Sequence, residues 1–180
     1  MTPKTKALVR WLIPALTGKN YIKIVLLGLA ICLSVMASAG GSIAGQVVSV
    51  ADGDTLTVLD DTHQQHKIRL AGIDAPEKAQ PFGQASKQRL SELCYQKQAI
   101  VVVVNTDRYG RMVGDVTCDD VHANEEMLRS GHAWVYRHYD KGFAYFYAIE
   151  DAAKEAKLGL WVDDSPTPPW EWRHSRKLKD

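Results

Sequence analysis

The stretch from Arg69 to Glu77 (Arg-Leu-Ala-Gly-Ile-Asp-Ala-Pro-Glu) constrains the fold of this 180-residue chain more than any other. Residues 67–73 predict a β-strand, because Ile68 and Leu70 would face one side while Lys67, Arg69 and Ala71 would face the other. Pro76 forces the residue before it into an extended conformation and ends the strand. We therefore expect the carboxylates of Asp74 and Glu77 on a stiff loop that leaves the end of a sheet.

Two shorter polar motifs accompany this stretch. Asp-Gly-Asp-Thr at positions 52–55 places two carboxylates two residues apart, where both can point the same way along an extended chain. Asp-Arg-Tyr-Gly-Arg at positions 107–111 supplies a further arginine at a turn. Taken alone, each motif is typical of an ordinary turn between two strands.

The remaining pattern predicts an α+β chain that is rich in β-structure. Strands are expected over residues 46–50, 55–59, 67–73, 99–104 and 112–117, with a short extended piece at 133–136. Helices are expected over 84–93, 124–130 and 145–157. The tail over 166–173, rich in Pro and Trp, is expected to be irregular, with its tryptophans packed against the body of the domain.

The first 39 residues differ in character from the rest. Five basic and no acidic side chains precede an uncharged run from Ile24 to Ala51. This predicts a cleaved secretory signal peptide, with Ala-Ser-Ala at 37–39 as the cleavage site, or an uncleaved membrane anchor. Both readings place residues 40–180, enough chain for one domain, outside the cytoplasm. The domain is expected to be secreted or periplasmic and monomeric, and to be held at the membrane only if the segment is not cleaved.

Charge and cysteine content bear on the partners and the compartment. After the basic N-terminal segment, 17 of the 22 basic residues face all 21 acidic ones, a formal net charge of −4. Any polyanion must therefore be bound by local rather than global positive potential. Cys94 and Cys118 are the only cysteines after the apolar run. They are either independent buried thiols or a disulfide. An oxidising compartment favours the disulfide, and so does the expected pairing of strand 99–104, which follows the helix that Cys94 ends, with the strand that Cys118 ends.

The three polar motifs together resemble the staphylococcal-nuclease-like (thermonuclease) family. That family shows a DGDT-type turn, then R-x4-D-x-P-E, then D-[KR]-Y-G-R, and all three occur here in order from about Gly45 to Trp161. The resemblance implies a five-stranded OB-fold-type barrel with about three helices.

The resemblance also implies a Ca²⁺ site. Asp54 and Asp74 would be the ligands, joined by the backbone carbonyl of Ala75, where the family usually has Thr. Asp52 would act from the second coordination shell through water. Carboxylate and carbonyl oxygens suit Ca²⁺, and the motifs contain no His or Cys that would suggest zinc.

The same resemblance suggests roles for the remaining motif residues. Arg69 and Arg111 would clamp the phosphate, since a planar guanidinium matches phosphoryl oxygens. Glu77 would act as general base or orient the attacking water. Tyr109 and Tyr139 would contact phosphate or a base; the match around Tyr139 is loose, and packing on the barrel is an equal alternative.

The activity implied is Ca²⁺-dependent hydrolysis of DNA and RNA phosphodiesters with 3′-phosphate products. Two alternatives are a non-catalytic module of the same fold that binds nucleic acid or protein, and an interaction protein in which Ca²⁺ is only structural. Family barrels that became binding modules tend to lose the arginines, the glutamate and the metal aspartates, whereas this chain keeps them all.

Overall fold

The computed structural model describes residues 41–178. The signal peptide or anchor predicted over residues 1–39 lies outside the described residues. No helix within the described range combines the length and the apolar character that a membrane span requires.

Eight strands and four α-helices form the described domain. The strands are β1 (Ser42–Val50), β2 (Thr55–Asp60), β3 (Gln65–Leu70), β4 (Ile73–Asp74), β5 (Gln98–Thr106), β6 (Met112–Cys118), β7 (Val121–His122) and β8 (Trp134–Val135). The helices are α1 (Gly83–Cys94), α2 (Ala123–Arg129), α3 (Phe146–Glu155) and α4 (Pro169–Lys177), with 3₁₀ turns at Arg137–Tyr139 and Gly159–Val162.

Five of the strands close into the predicted barrel. Antiparallel pairing runs in the order β3-β2-β1-β5-β6, and parallel pairing of β3 with β6 closes the circle, with Arg69 opposite Val113. Closure leaves the barrel strands without an open edge, as in OB-type folds. Ile68 and Leu70 are buried, as the alternation in β3 predicts, and they pack with apolar side chains of the other strands and of α1, α2 and α3.

The strand predicted over 67–73 ends earlier than expected. It stops at Leu70, and Ile73–Asp74 forms a separate pair with β8. Gly72 causes the break, because its φ of 72° lies in the left-handed region that favours glycine. A β-carbon at this position would also lie 2.8 Å from the ring of Phe143. The break turns Asp74 away from the barrel wall and into the site described below.

The cysteines form the predicted disulfide. Cys94 at the end of α1 is joined to Cys118 at the end of β6. The expected strand pairing is also present, with Ala99 opposite Cys118 and Val101 opposite Val116. The bridge therefore ties α1 to the edge of the barrel.

The prediction of an irregular tail is wrong, and α4 makes the helix count four instead of about three. Pro168 caps this helix and Pro169 occupies its first turn, where a fixed φ and a missing N–H are compatible with a helix start. The prediction that the tryptophans pack back on the body is confirmed: the ring of Trp170 stacks on that of Tyr136, with centroids 6.1 Å apart, and Trp172 is half-buried. The helix thereby brings Arg173 to Asp74 and Glu77 of the polar stretch 69–77.

Candidate active site

Arg69 joins the two aspartates that were predicted to bind metal. Its Nη1 donates to Asp54 Oδ1 at 3.1 Å and its Nη2 donates to Asp74 Oδ1 at 2.8 Å. Strand pairing explains the first contact, since Thr55 lies opposite Arg69 and the Leu70 N–H donates to the carbonyl of Asp54. Both aspartates are buried, so the guanidinium lies between two desolvated carboxylates. Sequence positions 54, 69 and 74 therefore converge as predicted.

The turn before Asp54 fits tightly against the loop that follows β4. The Asp52 carboxylate accepts a hydrogen bond from the Asp54 N–H at 3.1 Å, and Asp54 Oδ2 accepts one from the Ala75 N–H at 3.0 Å. Only glycine fits between them at position 53, because a β-carbon would meet the Ser86 hydroxyl at 1.9 Å. The contact to Ala75 is made by its backbone, which explains why Ala serves at a position where the family usually has Thr.

Two acidic groups of this cluster, Asp52 and Asp74, have raised pKa values. Burial and the negative charge of Asp54 raise the pKa of Asp52 to about 6. Burial likewise raises the pKa of Asp74, opposed by the hydrogen bond from Arg173 and the charge of Arg69. The cluster therefore favours any positive charge that reaches it.

Arg173 is the part of the site that the sequence analysis missed. From α4 it donates to both carboxylate oxygens of Asp74, at 3.2 and 2.7 Å, and to Glu77 Oε1 at 2.8 Å. Burial of the Arg173 guanidinium opposes its protonation, but the hydrogen bonds to Asp74 and Glu77 outweigh that effect and raise its pKa further. Arg173 is therefore always charged, and it links Glu77 to the aspartates.

Gln80 connects the loop that contains Glu77 with the segment before α4. Its side-chain carbonyl accepts from the Glu77 N–H at 3.1 Å, while its amide donates to the Thr167 carbonyl at 2.6 Å. Gln80 is buried, so neither bond competes strongly with water. The Glu77 side chain itself is 42% exposed, which lets water reach the carboxylate.

Arg111 is not joined to the aspartates in this structure. Its Nε donates to Asp107 Oδ2 at 2.7 Å, within the turn between β5 and β6. Tyr109 is 69% exposed, and its ring lies beside the guanidinium groups of Arg111 and Arg108. Met112, which follows Arg111, lies opposite Ile68 of β3. The turn therefore leads into β6 beside the strand that carries Arg69.

Tyr139 belongs to an aromatic group on the other flank of the site. Its side chain is 64% exposed, and its ring lies 5.3 Å from that of Tyr136. Tyr136 in turn lies 6.0 Å from the Arg69 guanidinium and against Trp170 of α4. Both predicted tyrosines are therefore on the surface; Tyr109 lies beside arginines, and Tyr139 is linked to Arg69 only through the ring of Tyr136.

The composition of the cluster fits a divalent cation that prefers oxygen ligands. Four carboxylates (Asp52, Asp54, Asp74 and Glu77) face two guanidinium groups (Arg69 and Arg173), so two negative charges are unbalanced when all six are ionised. Within residues 41–178, no three His, Cys, Asp or Glu side chains converge closely enough to hold a metal by themselves. A cation held by Asp54 and Asp74 would therefore complete its shell with main-chain oxygen and water, as Ca²⁺ commonly does.

The five strands form an OB-type barrel, and the charged site beside them contains two buried aspartates bridged by an arginine. Comparison with known proteins identifies the family. The model of the staphylococcal nuclease homologue family matches residues 67–163, and the chain belongs to this family.

Curated relatives cover most of the domain. An uncharacterized endonuclease of Haemophilus influenzae is 43% identical over 133 residues, which is 74% of this chain and 74% of that protein. An uncharacterized endonuclease of Escherichia coli O157:H7 is 42% identical over 135 residues, covering 74% of this chain and 87% of the relative. A micrococcal nuclease of Shigella flexneri is 38% identical over 158 residues, covering 82% and 90%.

Proposed function

We propose that this protein is a Ca²⁺-dependent nuclease that hydrolyses phosphodiester bonds of DNA and RNA and leaves 3′-phosphate ends. Family membership supports the reaction class. The observation that carries the proposal for this chain is the Arg69 guanidinium, which is held between buried Asp54 and Asp74 within one cluster that also contains Glu77. Such an arrangement concentrates a cation, an arginine and a general base around one phosphate.

The side chains divide the chemistry among them. Glu77 is open to solvent and takes a proton from the attacking water, whose oxygen forms a bond to phosphorus. The bond from phosphorus to the 5′-oxygen breaks, the 5′-oxygen leaves with the electron pair and takes a proton from solvent, and the phosphate stays on the 3′-oxygen. Arg69 and Arg111 hold the non-bridging oxygens and stabilise the charge that develops on them.

Ca²⁺, when bound, acts as a Lewis acid and template for this reaction. Asp54 and Asp74 are its proposed side-chain ligands, with the Ala75 carbonyl completing the protein set and Asp52 acting through water. The two unbalanced negative charges of the cluster support this assignment. Arg69 would have to exchange its aspartate contacts for phosphate contacts during the reaction, and a cation held by the same aspartates would compensate their charge in its place.

Digestion of plasmid DNA and of single-stranded RNA by the full-length chain tests the proposal. We expect cleavage in Ca²⁺ and none in excess chelator, with Glu77→Gln as the inactive control. Products should accept a 5′ label from polynucleotide kinase directly and should support polymerase extension only after phosphatase treatment. If no substrate is cut with any divalent metal, the protein is instead a binding module of the same fold.

We further propose that the nuclease domain works outside the cytoplasm. The basic and apolar segment over residues 1–39 and the Cys94–Cys118 disulfide support an oxidising location. Fractionation of cells that express the full chain, followed by intact-mass measurement, distinguishes a cleaved secreted form from an anchored one. Recovery of a full-length, fully reduced protein from the cytoplasm would contradict the proposal.

A further inference from the structure

A cavity of about 370 Å³ lies beside the candidate active site, between the loop after β4 and helix α4. The residues that line it include Glu77, Lys78, Trp172, Arg173, Arg176 and Lys177. Glu77 and Arg173 also belong to the charged cluster, so the cavity opens directly beside the residues that would act on the scissile phosphate.

The cavity wall carries an excess of positive charge. Arg173 is paired with Asp74 and Glu77, but Lys78, Arg176 and Lys177 have no ion-pair partner among residues 41–178. The chain after the N-terminal segment has a formal net charge of −4, so this is a local basic patch on an acidic protein. Cations clustered in a concave site attract phosphate rather than a neutral ligand.

Trp172 adds a second recognition element. Its half-buried indole lies in the same wall as the cations, one residue from Arg173. Cationic side chains that follow a backbone, combined with an aromatic ring on which a base can stack, are the features with which proteins bind single-stranded nucleic acid. A base paired in a duplex is not free to enter such a cavity unless it is unstacked.

Size completes the assignment. A volume of about 370 Å³ lies at the lower end of the range for small-ligand sites, which suits one nucleotide. We propose that this α4 cavity binds the nucleotide next to the scissile phosphate, with its base against Trp172 and its phosphate on Arg176 and Lys177. The inference rests on the proposed nuclease function and makes a single strand the preferred substrate.

Two sets of substitutions separate the contributions to binding. Arg176→Gln with Lys177→Gln removes two cations from the cavity, and Trp172→Leu removes the ring but keeps an apolar side chain. The matched control is Arg129→Gln with Lys157→Gln, which removes the same charge from exposed positions outside the cavity. A thermal melt of each variant identifies any that fail to fold. If Trp172→Leu fails to fold, Trp172→Phe replaces it. For Trp172→Phe we expect a smaller rise in Kd than the one given below for Trp172→Leu.

The binding probe is a fluorescently labelled decathymidylate, and its Kd for the full-length chain is measured by anisotropy in excess chelator. We expect the double cation variant to raise the Kd about tenfold and to lower the slope of log Kd against log salt by about 0.7, since each neutralised phosphate on a single strand contributes ~0.7 and both cations hold one phosphate. Trp172→Leu should raise the Kd at least fivefold with little change of slope. The control should match the unsubstituted protein.

Several results would overturn the inference. One is that the cavity variants bind like the control, and another is that a duplex of the same length binds as tightly as the single strand. A third is that the unsubstituted chain does not bind, because the cavity and its cations need no metal to form. Binding in chelator does not depend on catalysis, so a failure of the subsite is distinguishable from a failure of the nuclease proposal. In Ca²⁺, the cation variant should raise the KM for a single-stranded substrate and leave kcat within about twofold.

Discussion

Arg173 Nη2 donates to Asp74 Oδ2 at 2.7 Å, although 99 residues separate the two in sequence. Asp74 is buried and also accepts from Arg69, so two guanidinium groups compensate one carboxylate that is proposed to bind Ca²⁺. A buried charge needs such partners, because desolvation without compensation is costly. Helix α4 is therefore part of the charge balance of the site. The proposed cation affinity should then depend on a residue that is distant in sequence from the proposed ligands.

Replacement of Arg173 by Gln should increase Ca²⁺ affinity. The substitution removes one positive charge from the immediate surroundings of Asp74, and in a partly buried site we expect this to be worth about tenfold or more in Kd. Isothermal titration with Ca²⁺ alone measures the effect, and the melting temperature in chelator should fall at the same time. A weaker Kd would show instead that Arg173 serves mainly to orient Asp74.

The Arg69→Ala and Arg111→Ala variants should differ in unfolding free energy, even though both arginines are proposed phosphate clamps. Arg69→Ala leaves Asp54 and Asp74 buried without their shared partner, which should cost about 3 kcal/mol of unfolding free energy in chelator. Arg111 is paired only with Asp107 among the described residues, and Asp107 keeps hydrogen bonds from the backbone N–H groups of Tyr109 and Arg111. We expect Arg111→Ala to cost no more than ~1 kcal/mol.

Activity and urea denaturation measured on the same samples separate the two roles. Both alanine variants should lower kcat by several orders of magnitude, because each removes charge stabilisation from the transition state. Arg108→Ala is the matched control, since Arg108 is in the same turn and, among residues 41–178, its guanidinium forms a side-chain hydrogen bond with Tyr109 but no ion pair. An Arg111→Ala variant with normal kcat would remove Arg111 from the proposed clamp.

Asp54→Asn should weaken Ca²⁺ binding and activity together. The amide keeps the size of the side chain but removes one negative ligand charge, so we expect a Kd increase of about tenfold or more and partial recovery of kcat at high Ca²⁺. Asp61→Asn, in the exposed turn after β2, removes a carboxylate that forms no ion pair with any residue of the described range 41–178, and it should change neither. Calcium dependence that stays the same in Asp54→Asn would exclude this residue as a ligand.

The sequence predicted the parts of the site that depend on local pattern. Alternation located β3, Pro76 and the Asp-Gly turn located the loops, and motif spacing identified residues that the structure brings together at Asp54, Arg69 and Asp74. The break at Gly72 was not foreseen, because residues 70–73 contain no polar side chain that would end a strand. The positive φ of Gly72 and the close approach of the Phe143 ring are visible only in the structure.

Arg173 and Gln80 were missed for a different reason. Their roles depend on where α4 lies on the domain, and that position follows from long-range contacts, such as Trp170 on Tyr136 and Gln80 on the Thr167 carbonyl, rather than from local sequence. A local signal for the helix was present: Pro168-Pro169 followed by a charged, Trp-containing run matches a proline-initiated helix. The abundance of Pro and Trp nevertheless suggested an irregular tail.

Reduction of the Cys94–Cys118 disulfide should lower stability more than catalysis. The bridge closes a loop with a sequence separation of 24, for which loop entropy predicts a contribution of about 3–4 kcal/mol to unfolding free energy. The turn that carries Arg111, one of the proposed catalytic residues, is at the opposite end of the β5–β6 hairpin from Cys118. Denaturant titration of the Cys94→Ser with Cys118→Ser variant should therefore show the full loss, while its kcat at 25 °C stays within a fewfold of the oxidised protein. If the double serine variant is as stable as the oxidised protein, the native contacts between α1 and β6 hold this edge without the bond. If its kcat falls together with its stability, the disulfide positions the site.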